Sequence, residues 1–376
     1  MKLSHRVPII KAVGDACNLR CDYCFYSGMN QRPSRFMSDN LLTMFLEQYF
    51  TLFSGELSFV WHGGEPLLAG IPFYERVLQL QRQLAKVGDV VENKIQTNAT
   101  LINDNWAEFF KQNKFRVGVS LDGCRVSHDR HRRDVGGRGT FDAVIRGIET
   151  LRRHGITPGI IQTVTRNGID DVDDDFHFFT EHLRVNGWAV NLFAENSSPC
   201  SRLQNEGLRD EDVGHLYEKM ACFWLSQNNE NLYIREIENV AAGVTGRRAK
   251  SCSFNGACAN YFCLDAEGLV WPCDRLSTDV RHLLGDLRSQ TLQEVLEGGA
   301  AVFHAERTRQ LSNDCIPCRW RSACNNGCTA MRDPHTGTYV YCNARKEMFN
   351  AFSVLLNTEP TTPSAILPMD SKRSQL

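Results

Sequence analysis

The chain has 376 residues, of which 42% are hydrophobic and 23% charged, with a formal net charge of −2. That composition excludes global disorder and offers no general attraction to nucleic acid or to a membrane surface. The length fits two domains, or one large domain with an appendage.

Residues 1–16 hold no apolar stretch long enough for a signal peptide, and no run of about eighteen apolar residues occurs anywhere, so no leader and no membrane span are expected. In such a chain, fifteen cysteines point to metal or cluster ligation in a reducing cytoplasm rather than to disulfides.

Residues 7–13 read as a strand feeding the run Cys17-Asn18-Leu19-Arg20-Cys21-Asp22-Tyr23-Cys24, whose spacing is C-x3-C-x2-C. Three thiolates in one short loop hold three corners of a cubane iron–sulfur cluster and leave the fourth iron open to a substrate or cofactor. The plainer readings are a disulfide pair or a structural zinc, which wants a fourth ligand from elsewhere. Ser38 is a plausible N-cap for an amphipathic stretch that reaches about residue 53. Residues 57–61 form an apolar strand ending in His62-Gly63-Gly64-Glu65-Pro66, and 72–86 a helix. Residues 94–96 lead to Thr97-Asn98, and the strand 115–121 ends in Asp122-Gly123. A helix follows over about 140–154, a strand over 159–164, a helix over about 171–184 and a strand over 188–193.

Six strand–helix repeats predict an α/β fold, a partial (β/α)6 TIM-type barrel with a parallel sheet and right-handed crossovers. Ligand groups then belong at the carboxyl ends of the strands, where the cysteine loop, the Gly63-Gly64 turn and Ser120 fall. The acidic run at 170–175 reads as a helix N-terminus whose carboxylates complement the macrodipole. Residues 200–248 are polar and mostly helical. Beyond Cys252 the composition changes, and nine of the fifteen cysteines lie between there and Cys342. The tail from about 357, with three prolines, reads as flexible. The expected division is 1–235 for the barrel, 236–350 for the cysteine-rich domain and 351–376 for a helix end and tail.

The N-terminal cysteine run, with aromatic Tyr23 before its last member, resembles the signature of radical S-adenosylmethionine (SAM) enzymes. The resemblance implies a [4Fe-4S] cluster with an open iron on Cys17, Cys21 and Cys24, and reductive cleavage of SAM to a 5′-deoxyadenosyl radical. The C-terminal ladder Cys315-x2-Cys318-x5-Cys324-x3-Cys328, with Cys342, Cys252-x5-Cys258 and Trp271-Pro272-Cys273-Asp274, resembles the SPASM domain of peptide- and protein-modifying members. It implies two auxiliary [4Fe-4S] clusters, one on Cys252, Cys258, Cys273 and Cys328, the other on Cys315, Cys318, Cys324 and Cys342. Read alone, the ladder suits structural zinc equally well. Cys124, Cys200, Cys222 and Cys263 stay unassigned and read as small buried apolar residues, although Cys263 lies within the ligand region.

The same resemblance implies that Glu65 in Gly63-Gly64-Glu65-Pro66 pairs its carboxylate with the SAM ammonium, while the glycines allow close backbone approach. It places Tyr26 near the adenine, Ser120 on the ribose or methionine, and Arg132 before the SAM carboxylate. The cation-rich run 128–133 also reads as a solvated basic face. His62 stands where related sulfatase-maturating enzymes often have glutamine.

Over nearly the full chain the sequence resembles anaerobic sulfatase-maturating enzymes, which oxidise a cysteine or serine of a sulfatase to Cα-formylglycine. The implied events are removal of a Cβ hydrogen by the radical, deprotonation of the thiol or hydroxyl, and loss of an electron through the first auxiliary cluster. Asp274 matches the base, with desolvation expected to raise its pKa toward neutrality; the bland reading is a turn carboxylate. Expected partners are a sulfatase or precursor peptide and an electron donor such as flavodoxin or ferredoxin, with no nucleic acid and no membrane. Two alternatives differ in kind: a maturase cross-linking ribosomally made peptides, and a non-enzymatic iron–sulfur or zinc scaffold. Many such maturases carry a recognition domain before the barrel, for which the sixteen residues before Cys17 leave no room; an electron carrier has no need of the SAM-like turn.

Overall fold

The computed structural model describes residues 5–26, 36–195, 202–309 and 311–356. The expected tail and Cys200 lie outside the described residues.

Six parallel strands follow one another across the sheet in chain order: β1 (Val7–Lys11), β2 (Glu56–Trp61), β3 (Val90–Thr97), β4 (Arg116–Ser120), β5 (Gly159–Val164) and β6 (Gly187–Leu192). The two-residue β7 (Tyr233–Ile234) closes one edge. Between them run α1 (Asp39–Leu52), α2 (Ile71–Leu84), α3 (Asp104–Gln112), α4 (Arg125–His131), α5 (Phe141–Arg153) and α6 (Val172–His177). The α/β partial barrel expected from the alternation is what forms. Each crossover helix buries one stripe against the sheet. In α5 that stripe is Val144, Ile148 and Leu151, spaced to share one face. In α1, Ser38 caps the first turn by accepting from the Leu41 N–H at 3.2 Å, and Phe45, Leu46, Tyr49 and Phe50 are buried.

Two helices do not announce themselves as expected. α3 starts at an Asn103 cap that accepts from the Trp106 N–H at 3.0 Å. α4 occupies the cation-rich run, whose single turns alternate between burial and solvent. The helix expected over 171–184 is α6 plus a π-helical turn at Phe178–His182. The acidic run does open that helix, but Asp175 departs from it. This residue is 1% exposed, accepts from the Cys124 N–H at 2.9 Å, and burial pushes its pKa up to about 7.

The C-terminal region does not stand apart from the barrel. After α7 (Asp210–Ser226) and α8 (Arg235–Val244), β8 (Tyr261–Asp265) joins the open side of β1 in parallel, with Val7 opposite Tyr261 and Lys11 opposite Asp265. β9 (Leu269–Trp271) and β10 (Gly285–Asp286) continue antiparallel, so one ten-stranded sheet crosses the expected boundary at 235/236. α1 covers the seam, with Tyr49 against Phe59 of β2 at 4.9 Å and Phe45 against Phe262 of β8 at 6.2 Å between ring centroids. Cys222 is exposed and Cys263 buried, so burial does not hold for all the unassigned cysteines; Cys222 sits on the outer side of α7. Among the described residues no helix is long and apolar enough to cross a membrane.

A buried polar knot locks α2 to the sheet. Asn93 Oδ1 accepts from Trp61 Nε1 at 2.9 Å, and Asn93 Nδ2 donates to Gln81 Oε1 at 2.8 Å. Replacing Asn93 by Leu strands both partners in the interior. We expect a loss of about 2–3 kcal/mol, read as a lower denaturant midpoint at unchanged slope.

Candidate active site

The cysteine loop leaves β1 at the carboxyl end of the sheet and is pinned from several sides. Glu65 N donates to Ala16 O at 2.7 Å, Arg20 N to Arg133 O at 2.7 Å, and Asp22 N to His131 O at 3.1 Å. Asn98, at the end of β3, sends its Nδ2 to Asn18 Oδ1 at 2.9 Å and to Cys17 Sγ at 3.8 Å. Desolvation pushes the Cys21 thiol up to about 12 and raises Cys24 as well, and neighbouring thiols of the loop add to the rise at Cys17 and Cys21. Thiols gathered this way call for a bound cation, which inverts the local preference and holds them as thiolates. The donor set therefore fits a cluster with three protein ligands.

Behind the loop lies a buried charge network. Tyr23 donates its hydroxyl to Asp122 Oδ2 at 2.5 Å, and Arg132 Nε donates to the same oxygen at 2.9 Å. Asp122 Oδ1 accepts from the Thr163 N–H at 2.9 Å. Arg132 is 8% exposed, so the solvated-face reading fails for it. The rest of the basic run divides by helical period: Arg130 pairs with Asp171 at 2.6 Å, while His128 is fully buried, its Nε2 3.1 Å from Thr140 Oγ1. Burial pushes His128 down to about 3, so it stays neutral.

The glycine turn packs directly on this loop. Gly64 has φ +54°, and a Cβ there would stand 2.2 Å from Ala16 O. Glu65 follows in the same turn. Its carboxylate is fully buried and is spent internally, Oε1 accepting from Thr97 Oγ1 at 2.7 Å and Leu67 N at 3.0 Å, Oε2 from Asn98 N at 2.8 Å. Burial nevertheless pushes it up to about 6. It clamps strand ends and caps the short helix at Pro66–Ala69. Ser120 Oγ accepts from Gln96 Nε2 at 3.0 Å. Tyr26 is buried with its hydroxyl unpartnered; Lys11 Nζ lies 4.0 Å from its ring centroid.

The C-terminal cysteines fall into two groups. Cys252, Cys258, Cys273 and Cys328 line one cavity of about 230 Å³, together with Asp274 and Arg275. Cys315, Cys318, Cys324 and Cys342 line a second, smaller one with Arg345 and Lys346. Among the described residues no three His, Cys, Asp or Glu side chains converge on a single metal ion. Within the first group burial pushes Cys252 up to about 12 and raises Cys273, and neighbouring thiols add to it. In the second group Cys315 and Cys342 are raised by burial and by neighbouring thiols in the same way.

Asp274 reverses an expectation. Burial pushes its pKa up, but the hydrogen bond and charge of His62 and the charge of Arg275 outweigh it, and the carboxyl lies below the usual range. His62 Nδ1 is 3.3 Å from Asp274 Oδ2. Beside it, Lys11 is 3% exposed, pairs with Asp15 at 2.6 Å and reaches Ser277 Oγ at 3.5 Å. Asp122, Lys11 and Arg275 were not singled out by sequence; the signal available was a charged residue at the end of a barrel strand or beside a ligand cysteine.

Residues 12–179 match the family model of the radical SAM superfamily. The chain is 30% identical to the cysteine-type anaerobic sulfatase-maturating enzyme of Clostridium perfringens over 364 residues, 93% of this chain and 97% of that one. It is 29% identical over 349 residues to the serine-type enzyme of Bacteroides thetaiotaomicron, 87% of this chain and 83% of that one. The solved structure of native anSMEcpe with bound AdoMet and Cp18Cys peptide superposes with a TM-score of 0.83 at 28% identity, covering 94% of this chain and 98% of that one.

Because a Cβ at Gly64 meets the Ala16 carbonyl, Gly64→Ala must displace the cysteine loop. We expect a cost of at least about 1 kcal/mol and lower iron retention after anaerobic reconstitution, measured by melting temperature and iron assay.

Proposed function

The chain belongs to the anaerobic sulfatase-maturating enzymes of the radical SAM superfamily, and on that premise we propose that it oxidises a cysteine or serine of a sulfatase-type peptide to Cα-formylglycine. The observation that carries this reading is the 3.3 Å approach of His62, which opens the glycine turn, to Asp274 beside Cys273. The turn of the cofactor end and the carboxylate beside Cys273 are thereby in contact.

Cys17, Cys21 and Cys24 would hold the [4Fe-4S] cluster with the open iron; Cys252, Cys258, Cys273 and Cys328 one auxiliary cluster; and Cys315, Cys318, Cys324 and Cys342 the other. When bound, the groups supply reductive SAM cleavage to a radical that takes a Cβ hydrogen, and one-electron acceptance afterwards. The protein supplies the frame. The Gly63-Gly64 backbone, Ser120, Tyr26 and the terminal nitrogens of Arg132 border the space for SAM, with Glu65 holding the turn in shape. Asp274 accepts the proton of the target thiol or hydroxyl. His62 Nδ1, 3.3 Å from Asp274 Oδ2, holds the carboxylate in place for that task.

The division into residues 1–235, 236–350 and 351–376 is kept here as one of roles: cofactor cleavage, auxiliary clusters, and tail. A flavodoxin- or ferredoxin-type protein is the proposed electron donor, and the cytoplasm, where such donors and free thiols coexist, the proposed location.

Three cubanes require about twelve irons per chain. Anaerobic reconstitution followed by iron, sulfide and zinc assays is expected to give that content; about four irons, or stoichiometric zinc, removes the auxiliary clusters from the reading.

Incubation with SAM, a reductant and a peptide carrying Cys-x-Pro-x-Arg is expected to yield formylglycine by mass spectrometry. Asp274→Asn is expected to keep forming deoxyadenosine while product falls by about a hundredfold or more. Undiminished product removes Asp274 from the base role; an unchanged peptide with intact clusters redirects the reading to cross-linking chemistry.

A further inference from the structure

His62 is held more firmly than a residue at a loop entrance need be. Its backbone N–H donates to Ile10 O at 3.1 Å, which fixes it to the end of β2 against β1. The next residue, Gly63, has φ +100° and packs on the Lys11 side chain. The imidazole is 30% exposed and aims Nδ1 at Asp274 Oδ2.

Asp274 is anchored differently. It opens a one-turn 3-10 helix after Cys273, and its backbone carbonyl accepts from Ser277 Oγ at 2.7 Å. Its carboxylate interacts with His62 and with neighbouring Arg275. Arg275 is the next residue along the chain and moves with it. His62 comes from the opposite wall, so it restrains rotation of the carboxylate about its side-chain torsions. The Nδ1 that faces a carboxylate oxygen carries a proton and donates it, because an ionised carboxylate only accepts. Oδ2 is then committed to His62, the Arg275 backbone N–H also bonds the carboxylate, and a lone pair of Oδ1 is assigned to the target residue by the proposal below.

We propose that His62 is a positioning residue for deprotonation of the target cysteine or serine, holding Asp274 so that its second oxygen faces the S–H or O–H to be ionised. The inference rests on the base reading of Asp274 and deepens it. Misorientation of a proton acceptor by about 1 Å costs up to about a hundredfold in the step it serves, and nothing in the contact demands a matching loss in SAM cleavage. A histidine at this place therefore governs how many radicals end in product. A glutamine amide also offers an N–H to the carboxylate, which makes His62→Gln the conservative replacement.

The experiment compares the parent enzyme, His62→Ala, His62→Gln and Asp274→Asn, each reconstituted to equal iron content, by formylglycine formed per deoxyadenosine released. The expected result is a ratio lowered about tenfold or more in His62→Ala and restored to within about threefold of the parent in His62→Gln. A merely structural role lowers total deoxyadenosine at that iron content and leaves the ratio alone, which overturns the proposal. So does a His62→Gln ratio as low as that of His62→Ala. If Asp274→Asn loses product while His62→Ala keeps the parental ratio, only the positioning role falls. If Asp274→Asn itself keeps product, the base reading falls and this inference with it.

Discussion

The buried carboxylate of Glu65 is the point on which the site is built. An anion enclosed in the interior costs several kcal/mol unless donors surround it, and here Thr97, Asn98 and Leu67 provide them. The backbone of the same residue bonds to Ala16 just before Cys17, and Asn98 turns its amide to Asn18 and Cys17. One charged group thus joins the end of β2, the end of β3 and the cysteine loop. A weaker, neutral side chain there would leave three donors unsatisfied around a void and the loop without its common reference.

The second constraint is a shared strand. β1 pairs with β2 on one side and β8 on the other, so both cysteine systems are hung from five residues. Lys11 closes that strand and touches each party: Asp15 and Tyr26 from the loop, Ser277 from beyond β9. A buried ammonium between two clusters of thiols and carboxylates is stable only because anions lie on more than one side of it. The seam is therefore electrostatic at its mouth and aromatic at its back, where Phe45 and Tyr49 cover it.

The barrel was legible because most of its strands are short apolar runs, with glycine following β2 and β4 within three residues, and its longer helices have regular apolar stripes and, in α1, a serine cap. The cysteine spacings were legible because ligand residues are rare and their intervals are distinctive. What sequence could not convey was the direction of a charged side chain. Glu65 gives no sign of the donors from Thr97 and Asn98 that enclose it; Arg132 reads partly as solvent-facing and is buried on Asp122; Asp274 reads as a raised carboxyl and is lowered by a histidine more than two hundred residues earlier in the chain. Each outcome depends on partners distant in sequence, which no local pattern encodes. The joining of β8 to β1 was missed for the same reason: a five-residue strand carries no mark of which edge it will find.

That pairing has a consequence for how the molecule comes into being. The first strand made waits for β8 before its outer edge is covered, so contacts of very high sequence separation complete the sheet, and closure of so long a loop is slow. Until then β1 presents an open edge and an apolar flank, the condition in which nascent chains associate wrongly. The loop cysteines follow that strand directly, and the contacts that pin them come from Glu65, Asn98, His131 and Arg133, all made before β8. Assembly from this chain is thus ordered in time: the strand that carries the chemistry is synthesised early and protected late.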